Sequence, residues 1–231
     1  IICSKGIEIS SSKFLTDVFH EMMPFKSISI LSGPSFSNEV SQSLPTAVTL
    51  ATKDKKDFDN ISKLIPNKEF RIYYSNDLIG TQIGGALKNI YAIAAGVAEG
   101  LNLGENAKSA LISRSFAEMT RYAKKFKADK NTLFGLSGLG DLILTCSSKN
   151  SRNTQFGIKL ASSKYDNFLD LLQSQEVTEG YYTVKAVYNI SKKNKIDMPI
   201  MESVYNILYK QHDLKEELSN LLSRPITEEK I

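Results

Sequence analysis

The sequence predicts an α/β part over roughly the first third of the chain, followed by an all-α part. Three observations carry this. Runs rich in β-branched and aromatic residues alternate with helical spacing before residue 78. From Leu78 onward apolar residues recur at helical intervals. No strand-like run of comparable length returns after that point. The change divides the chain into residues 1–78 and 79–231.

The predicted strands are SISILSG (Ser27–Gly33), TAVTLAT (Thr46–Thr52) and FRIYYSND (Phe70–Asp77), each bounded by turn formers. Between the last two, KDFDNISKLIP has helical spacing and is expected to stop at Pro66. In the second part, Ile83, Ala86, Leu87, Ile90, Ile93 and Val97 form one wide apolar stripe. Ile112, Phe116, Met119, Ala123 and Phe126 form a second, with Asn106 as the expected N-cap. Three more helices are predicted over SRNTQFGIKLASS, TEGYYTVKAVYNISKKN and PIMESVYNILY, the last with Pro199 in its first turn.

At 231 residues the chain holds one large core or two small ones. Its longest apolar runs are interrupted by Lys, Asn or Glu, so no membrane span is expected. Cys3, Cys146, His20 and His212 lack metal-ligand spacing, so no metal is expected and both thiols read as free in a cytoplasmic protein. The net charge of +4 is scattered. Its one dense patch, Arg121–Lys130, ends a predicted helix, where cations suit the dipole, and nucleic-acid binding is not expected. A modest positive excess suits a small phosphorylated substrate. The opening IICSKGIEIS reads like the middle of a strand and the turn after it, so further residues are expected to precede it.

The stretch FGLSGLGDLILTCSSKNSRNTQFG (Phe134–Gly157) is the richest in chemistry. Its glycines run G-x-x-G-x-G rather than G-x-G-x-x-G, follow a helix, and lead into Asp141 instead of Gly-Lys-Ser/Thr. Neither a dinucleotide fingerprint nor a P-loop fits. Glycines here allow a sharp turn and a close backbone approach. Asp141 falls in the first turn of a short helix, and Thr145 lies one turn on along the same face. Ser151 suits an N-cap, with Arg152 and Asn153 behind it. Those groups either cap two helices or form an anion site of free N–H groups and a guanidinium fork. Lys88, one turn after Gly84-Gly85, is either a solvated lysine or a proton donor. A glycine pair inside a helix costs about 1 kcal/mol per residue, which points to something approaching the backbone there.

SKGIE, GPSFSNEV, LPTAVTLAT, IGGALKNIYAIAAG, GLSGLGDLILTCSSKNSRN, EVTEG and MPIMESVYNILY together resemble the bacterial-type NAD(P)-dependent glycerol-3-phosphate dehydrogenases over nearly all residues. The resemblance implies a partial Rossmann-like α/β N-terminal part and an all-α C-terminal domain of the 6-phosphogluconate dehydrogenase-like type. It implies interconversion of sn-glycerol 3-phosphate and dihydroxyacetone phosphate with NAD or NADP, feeding glycerophospholipid synthesis, and it is compatible with a homodimer. Lys88 would be the acid/base at C2, with Asp141 holding it and Thr145 and Asn89 in support. Ser151, Arg152 and Asn153 would take the substrate and its phosphate. Gly33 and Ser35 would line the substrate, and Lys5 would reach both ligands. Ser37, Arg152, Val177 and Glu179 would face the cofactor.

Three departures accompany the resemblance. No G-x-G-x-x-G lies within residues 1–231, so the pyrophosphate loop is expected upstream. Ser37 replaces a usual Ala, and SRNTQFG lacks basic residues often found after the Asn. The competing expectations are a truncated, inactive, self-associating helical remnant, and a related dehydrogenase of the 6-phosphogluconate or 3-hydroxyacyl type.

Overall fold

A computed structural model of the chain describes residues 1–65, 68–162, 178–226 and 228–229. Three strands form one mixed sheet, β1 (Ser29–Ser32), β2 (Thr46–Thr52) and β3 (Phe70–Ser75), in the order β1-β2-β3. β1 runs antiparallel to β2 with Leu31 opposite Leu50, and β2 runs parallel to β3 with Val48 opposite Ile72. β2 is buried almost throughout, whereas every residue of β3 is partly buried or exposed, as suits an edge strand. The opening residues form isolated bridges rather than a strand. Ile2 pairs with Ile30 in parallel, through Ile2 N to Ser29 O at 2.7 Å and Leu31 N to Ile2 O at 2.9 Å.

Three short helices flank the sheet: α1 (Leu15–Met22), α2 (Ser37–Ser41) and α3 (Lys55–Lys63). α1 was not expected, because it has no capping side chain and is held by a distant residue. Gln82 Oε1 accepts from Thr16 N at 3.1 Å, and Gln82 Nε2 donates to Thr16 Oγ1 at 2.9 Å. α3 ends at Lys63, and the expected stop at Pro66 lies outside the described residues.

The rest is helical: α4 (Leu78–Gly100), α5 (Gly104–Lys125), α6 (Lys130–Phe134), a π-helical turn (Leu136–Gly140), α7 (Asp141–Ser147), α8 (Arg152–Ala161), α9 (Glu179–Asn194), α10 (Pro199–Lys210) and α11 (Leu214–Leu222). α4 is the axis of this part, with α5, α7, α8, α9 and the π-helical turn packed on it. It is buried nearly all round, which its Ala- and Ile-rich sequence permits. Asp77 caps it, accepting from Gly80 N at 2.8 Å.

Glycines set how closely the helices meet. A Cβ on Gly96 would lie 2.1 Å from Thr154 O, and one on Gly157 would lie 2.1 Å from Ile93 O. α4 and α8 therefore cross backbone to backbone. The same holds at Gly84, where a Cβ would lie 2.1 Å from Ser137 O of the π-helical turn. This close approach explains Gly84, whereas a Cβ on Gly85 would meet Ser32 Oγ at 3.0 Å and Lys5 Cγ at 3.3 Å.

Two local expectations are corrected. α5 begins at Gly104 with Leu103 at the N-cap, so Asn106 sits inside the first turn instead of capping it. The turn Leu101–Leu103 closes directly onto α4 through Leu103 N to Ala98 O at 3.1 Å, and it brings the chain into α5 three residues early. The glycine stretch is more helical than a loop with a sharp turn: Leu133 and Phe134 belong to α6, only Gly135 is extended, and Leu136–Gly140 winds as a π-turn directly into α7.

Candidate active site

α4 carries Lys88 and Asn89 on the turn after the glycine pair, and α7 carries Asp141 and Thr145 on one face. The π-helical turn at Gly84 brings α7 against α4, which sets the carboxylate against the lysine. Lys88 Nζ donates to Asp141 Oδ1 at 2.5 Å and to Thr145 Oγ1 at 3.0 Å. Thr145 in turn donates to Asp141 O at 2.6 Å, which fixes its hydroxyl as an acceptor for the lysine.

The second oxygen of the same carboxylate is taken from the sheet side. Lys5 Nζ donates to Asp141 Oδ2 at 2.7 Å and to Gly33 O at 3.2 Å. Ser35 Oγ also donates to Gly33 O, at 3.0 Å. Gly33 has φ +148°, and a Cβ there would lie 3.0 Å from Val48 Cα, so this bend at the end of β1 needs glycine. Asp141 thus bridges two ammonium groups, one from each part of the chain, and is 1% exposed. A buried carboxylate between two cations is a favourable arrangement only when its oxygens are satisfied, as they are here.

Burial pushes the Lys88 ammonium down to about 8; Asp141 opposes that shift and the like charge of Lys5 reinforces it. Cys146, next to Thr145, is no competing nucleophile, because burial pushes its thiol up to about 12.

Beyond Lys88 a second chain of bonds joins α4, α8 and α9. Asn89 Nδ2 donates to Glu179 Oε2 at 2.7 Å, and Asn153 Nδ2 donates to Asn89 Oδ1 at 3.2 Å. Gly180 N donates to Asn153 Oδ1 at 2.9 Å. Ser151 caps α8, its hydroxyl accepting from Thr154 N at 3.2 Å. Thr154 Oγ1 donates to Thr145 O at 2.7 Å, tying α8 to α7. Arg152 is exposed between Ser151 and Asn153, in the first turn of α8.

The structure therefore gathers Lys5, Gly33, Ser35, Lys88, Asn89, Asp141, Thr145, Ser151, Arg152, Asn153 and Glu179 where the starts of α7, α8 and α9 and the end of β1 meet the middle of α4. Ser37 stands apart. It is exposed at the start of α2, and among the described residues its side chain makes no bond to the cluster. Val177 lies outside the described residues. Thr154 and Gly180 were not foreseen as members. Thr154 carries a hydroxyl that only the tertiary packing directs to α7, and Gly180 contributes through its backbone.

The family model described as NAD-dependent glycerol-3-phosphate dehydrogenase C-terminus matches residues 77–219, and the corresponding N-terminus model matches residues 1–58. The chain belongs to the NAD-dependent glycerol-3-phosphate dehydrogenase family. A glycerol-3-phosphate dehydrogenase [NAD(P)+] of Novosphingobium aromaticivorans is 45% identical over 230 residues, covering 99% of this chain and 69% of the relative. That of Blochmanniella pennsylvanica is 44% identical over 239 residues, covering 100% of this chain and 67% of the relative. Among solved structures, glycerol-3-phosphate dehydrogenase from Coxiella burnetii matches with a TM-score of 0.92 at 36% identity, over 96% of this chain and 68% of that one. The fold is thus a partial Rossmann-like sheet of three strands followed by the helical domain of this dehydrogenase family. Among the described residues no helix is long and apolar enough to cross a membrane.

Proposed function

We propose that the cluster around Lys88 catalyses the interconversion of dihydroxyacetone phosphate and sn-glycerol 3-phosphate with NAD or NADP, in a cytoplasmic enzyme that supplies glycerophospholipid synthesis. The observation that carries this reading is the buried Lys88 ammonium, poised near neutral pH and aimed by Asp141 and Thr145. The reading divides the chain into a dinucleotide-side part, residues 1–78, and a catalytic helical part, residues 79–231.

In the reducing direction the ketone carbon C2 gains a hydride and its oxygen becomes an alkoxide. Lys88 stabilises that developing charge and gives it a proton from Nζ. Asp141 keeps the lysine protonated beforehand and holds its direction, with Thr145 as the second acceptor. Lys5, bonded to Asp141 and Gly33 O through two of its three donors, keeps a third for the substrate. Ser151, Arg152 and Asn153 take the phosphate at the N-terminus of α8, where the dipole and free N–H groups favour an anion. Gly33 and Ser35 line the other side.

A bound reduced nicotinamide supplies the hydride. Two residues beside the cluster fit its nicotinamide end: Glu179 is already aligned by Asn89, and Arg152 is exposed next to Asn153. They do not fit its diphosphate, because no G-x-G-x-x-G turn lies within residues 1–231.

Arg152→Ala tests the substrate assignment. The variant should raise the KM for dihydroxyacetone phosphate by about 10-fold or more through loss of a guanidinium–phosphate contact, while leaving any turnover of unphosphorylated dihydroxyacetone unchanged. Equal effects on both ketones would move the phosphate site elsewhere.

A further inference from the structure

Lys5 differs from the rest of the cluster in coming from irregular backbone, and something else must hold its long side chain in place. Its stem passes over Gly85, where a Cβ would lie 3.3 Å from Lys5 Cγ and 3.0 Å from Ser32 Oγ. Ser32, the last residue of β1, is 3% exposed, and among the described residues its hydroxyl has no hydrogen-bond partner. Ser32 also lines a cavity of about 10 Å³ together with Lys5, Gly6, Thr81, Gln82 and Gly85. That is about the volume one water needs. Polar atoms with spare capacity border it. Gln82 Oε1 accepts from Thr16 N, and Thr81 Oγ1 donates to Asp77 O, which leaves each oxygen a free lone pair.

We propose that Ser32 is a positioning residue for Lys5, acting through one water held in this cavity. The bridged hydroxyl fills the space beneath the lysine stem, so the stem cannot fold down into it. The ammonium then stays on Asp141 and Gly33 O instead of turning to solvent. The effect reaches Lys88, because Lys5 shares Asp141 with it and repels its charge. A buried hydroxyl without a partner is costly, so the same water accounts for a serine at this position. The catalytic importance of this arrangement rests on the dehydrogenase reading, but the arrangement itself does not.

The test is a lysine 13Cε NMR titration of this chain, with the Lys88 signal assigned by its loss in Lys88→Met. The wild-type signal is expected to titrate near 8. Ser32→Ala should raise that midpoint by about 0.5 pH unit or more, as the like charge of Lys5 moves away. Lys5→Met should raise it at least as far, and Ser32→Ala added to Lys5→Met should raise it no further. An unmoved midpoint in Ser32→Ala, or a further shift in the double variant, overturns the proposal. Thermal denaturation is a second readout. Ser32→Ala should lower Tm if its hydroxyl is bridged, whereas a rise in Tm, the response to deleting a bare buried hydroxyl, overturns the proposal. Neither measurement involves turnover, so a failed dehydrogenase reading would leave both informative.

Discussion

Gly157→Ala tests the geometry that brings Ser151, Arg152 and Asn153 to Lys88. The added Cβ would lie 2.1 Å from Ile93 O, 2.8 Å from Val97 N and 2.9 Å from Gly96 Cα, all backbone atoms of α4. An ordinary contact of this kind begins at about 3.4 Å, so α8 must retreat by about 1.3 Å. Neither helix can yield by rotating a side chain, and Gly96 opposes Thr154 O with the same clearance. Overpacking of this sort costs about 1–3 kcal/mol, and the rigid backbone on both sides places this site at the upper end. For a chain of this size that is a fall in Tm of roughly 6–12 °C. Retreat of α8 also breaks the 3.2 Å bond between Asn153 and Asn89 and withdraws Ser151 and Arg152. Thermal denaturation of Gly157→Ala alongside Gly140→Ala is the assay. Gly140 sits in helical backbone with its nearest neighbour at 3.7 Å, so alanine there should be neutral or stabilise by up to about 1 kcal/mol. Equal Tm values for the two variants would refute the backbone-to-backbone crossing.

Two predictions concern pH. Glu118 is buried on α5, where it accepts from Ile200 N at 2.6 Å, Met201 N at 3.1 Å and the Tyr91 hydroxyl at 3.3 Å; burial pushes its carboxyl up to about 7 despite these donors. The native state then binds more protons than the unfolded chain between about 4.5 and 7, so stability should fall by about 3 kcal/mol as pH rises through that window. Glu118→Gln should remove that slope in urea titrations, and a slope unchanged in the variant would show that another group causes it. On the proposed dehydrogenase reading Lys88 must be protonated in the reducing direction, so kcat should decline as pH rises through about 8 and the reverse reaction should gain. A flat profile from pH 7 to 9.5 would exclude Lys88 as the proton donor.

Much of the site could be read from residue order, because its chemistry is local. Asp141 and Thr145 are one helical turn apart, Ser151 caps the helix that holds Arg152 and Asn153, and Gly84-Gly85 marks a close approach that proves to be Ser137 O. The glycine stretch itself was misread in shape: a π-turn and a sharp loop use the same glycines, and only packing against α4 selects the former. Other features depend on partners far along the chain. α1 is fixed by Gln82, and Glu118 bonds the first turn of α10 across 82 residues. Gly96 and Gly157 resemble any helical glycines until α4 and α8 are seen to cross there. Lys5 could be assigned by resemblance alone, since nothing in SKGIE shows that its ammonium meets Asp141.

The central claim is that Lys88 protonates the product of hydride transfer to dihydroxyacetone phosphate. Its most direct test is the oxidation of NADH and NADPH in the presence of that ketone. Wild type and Lys88→Ala are compared, each as this chain and as this chain joined to any coding sequence that precedes it. The account predicts ketone-dependent oxidation that falls by about 100-fold or more in Lys88→Ala while the circular dichroism spectrum is unchanged. Turnover that survives the substitution, or that is absent from every wild-type form, would contradict it.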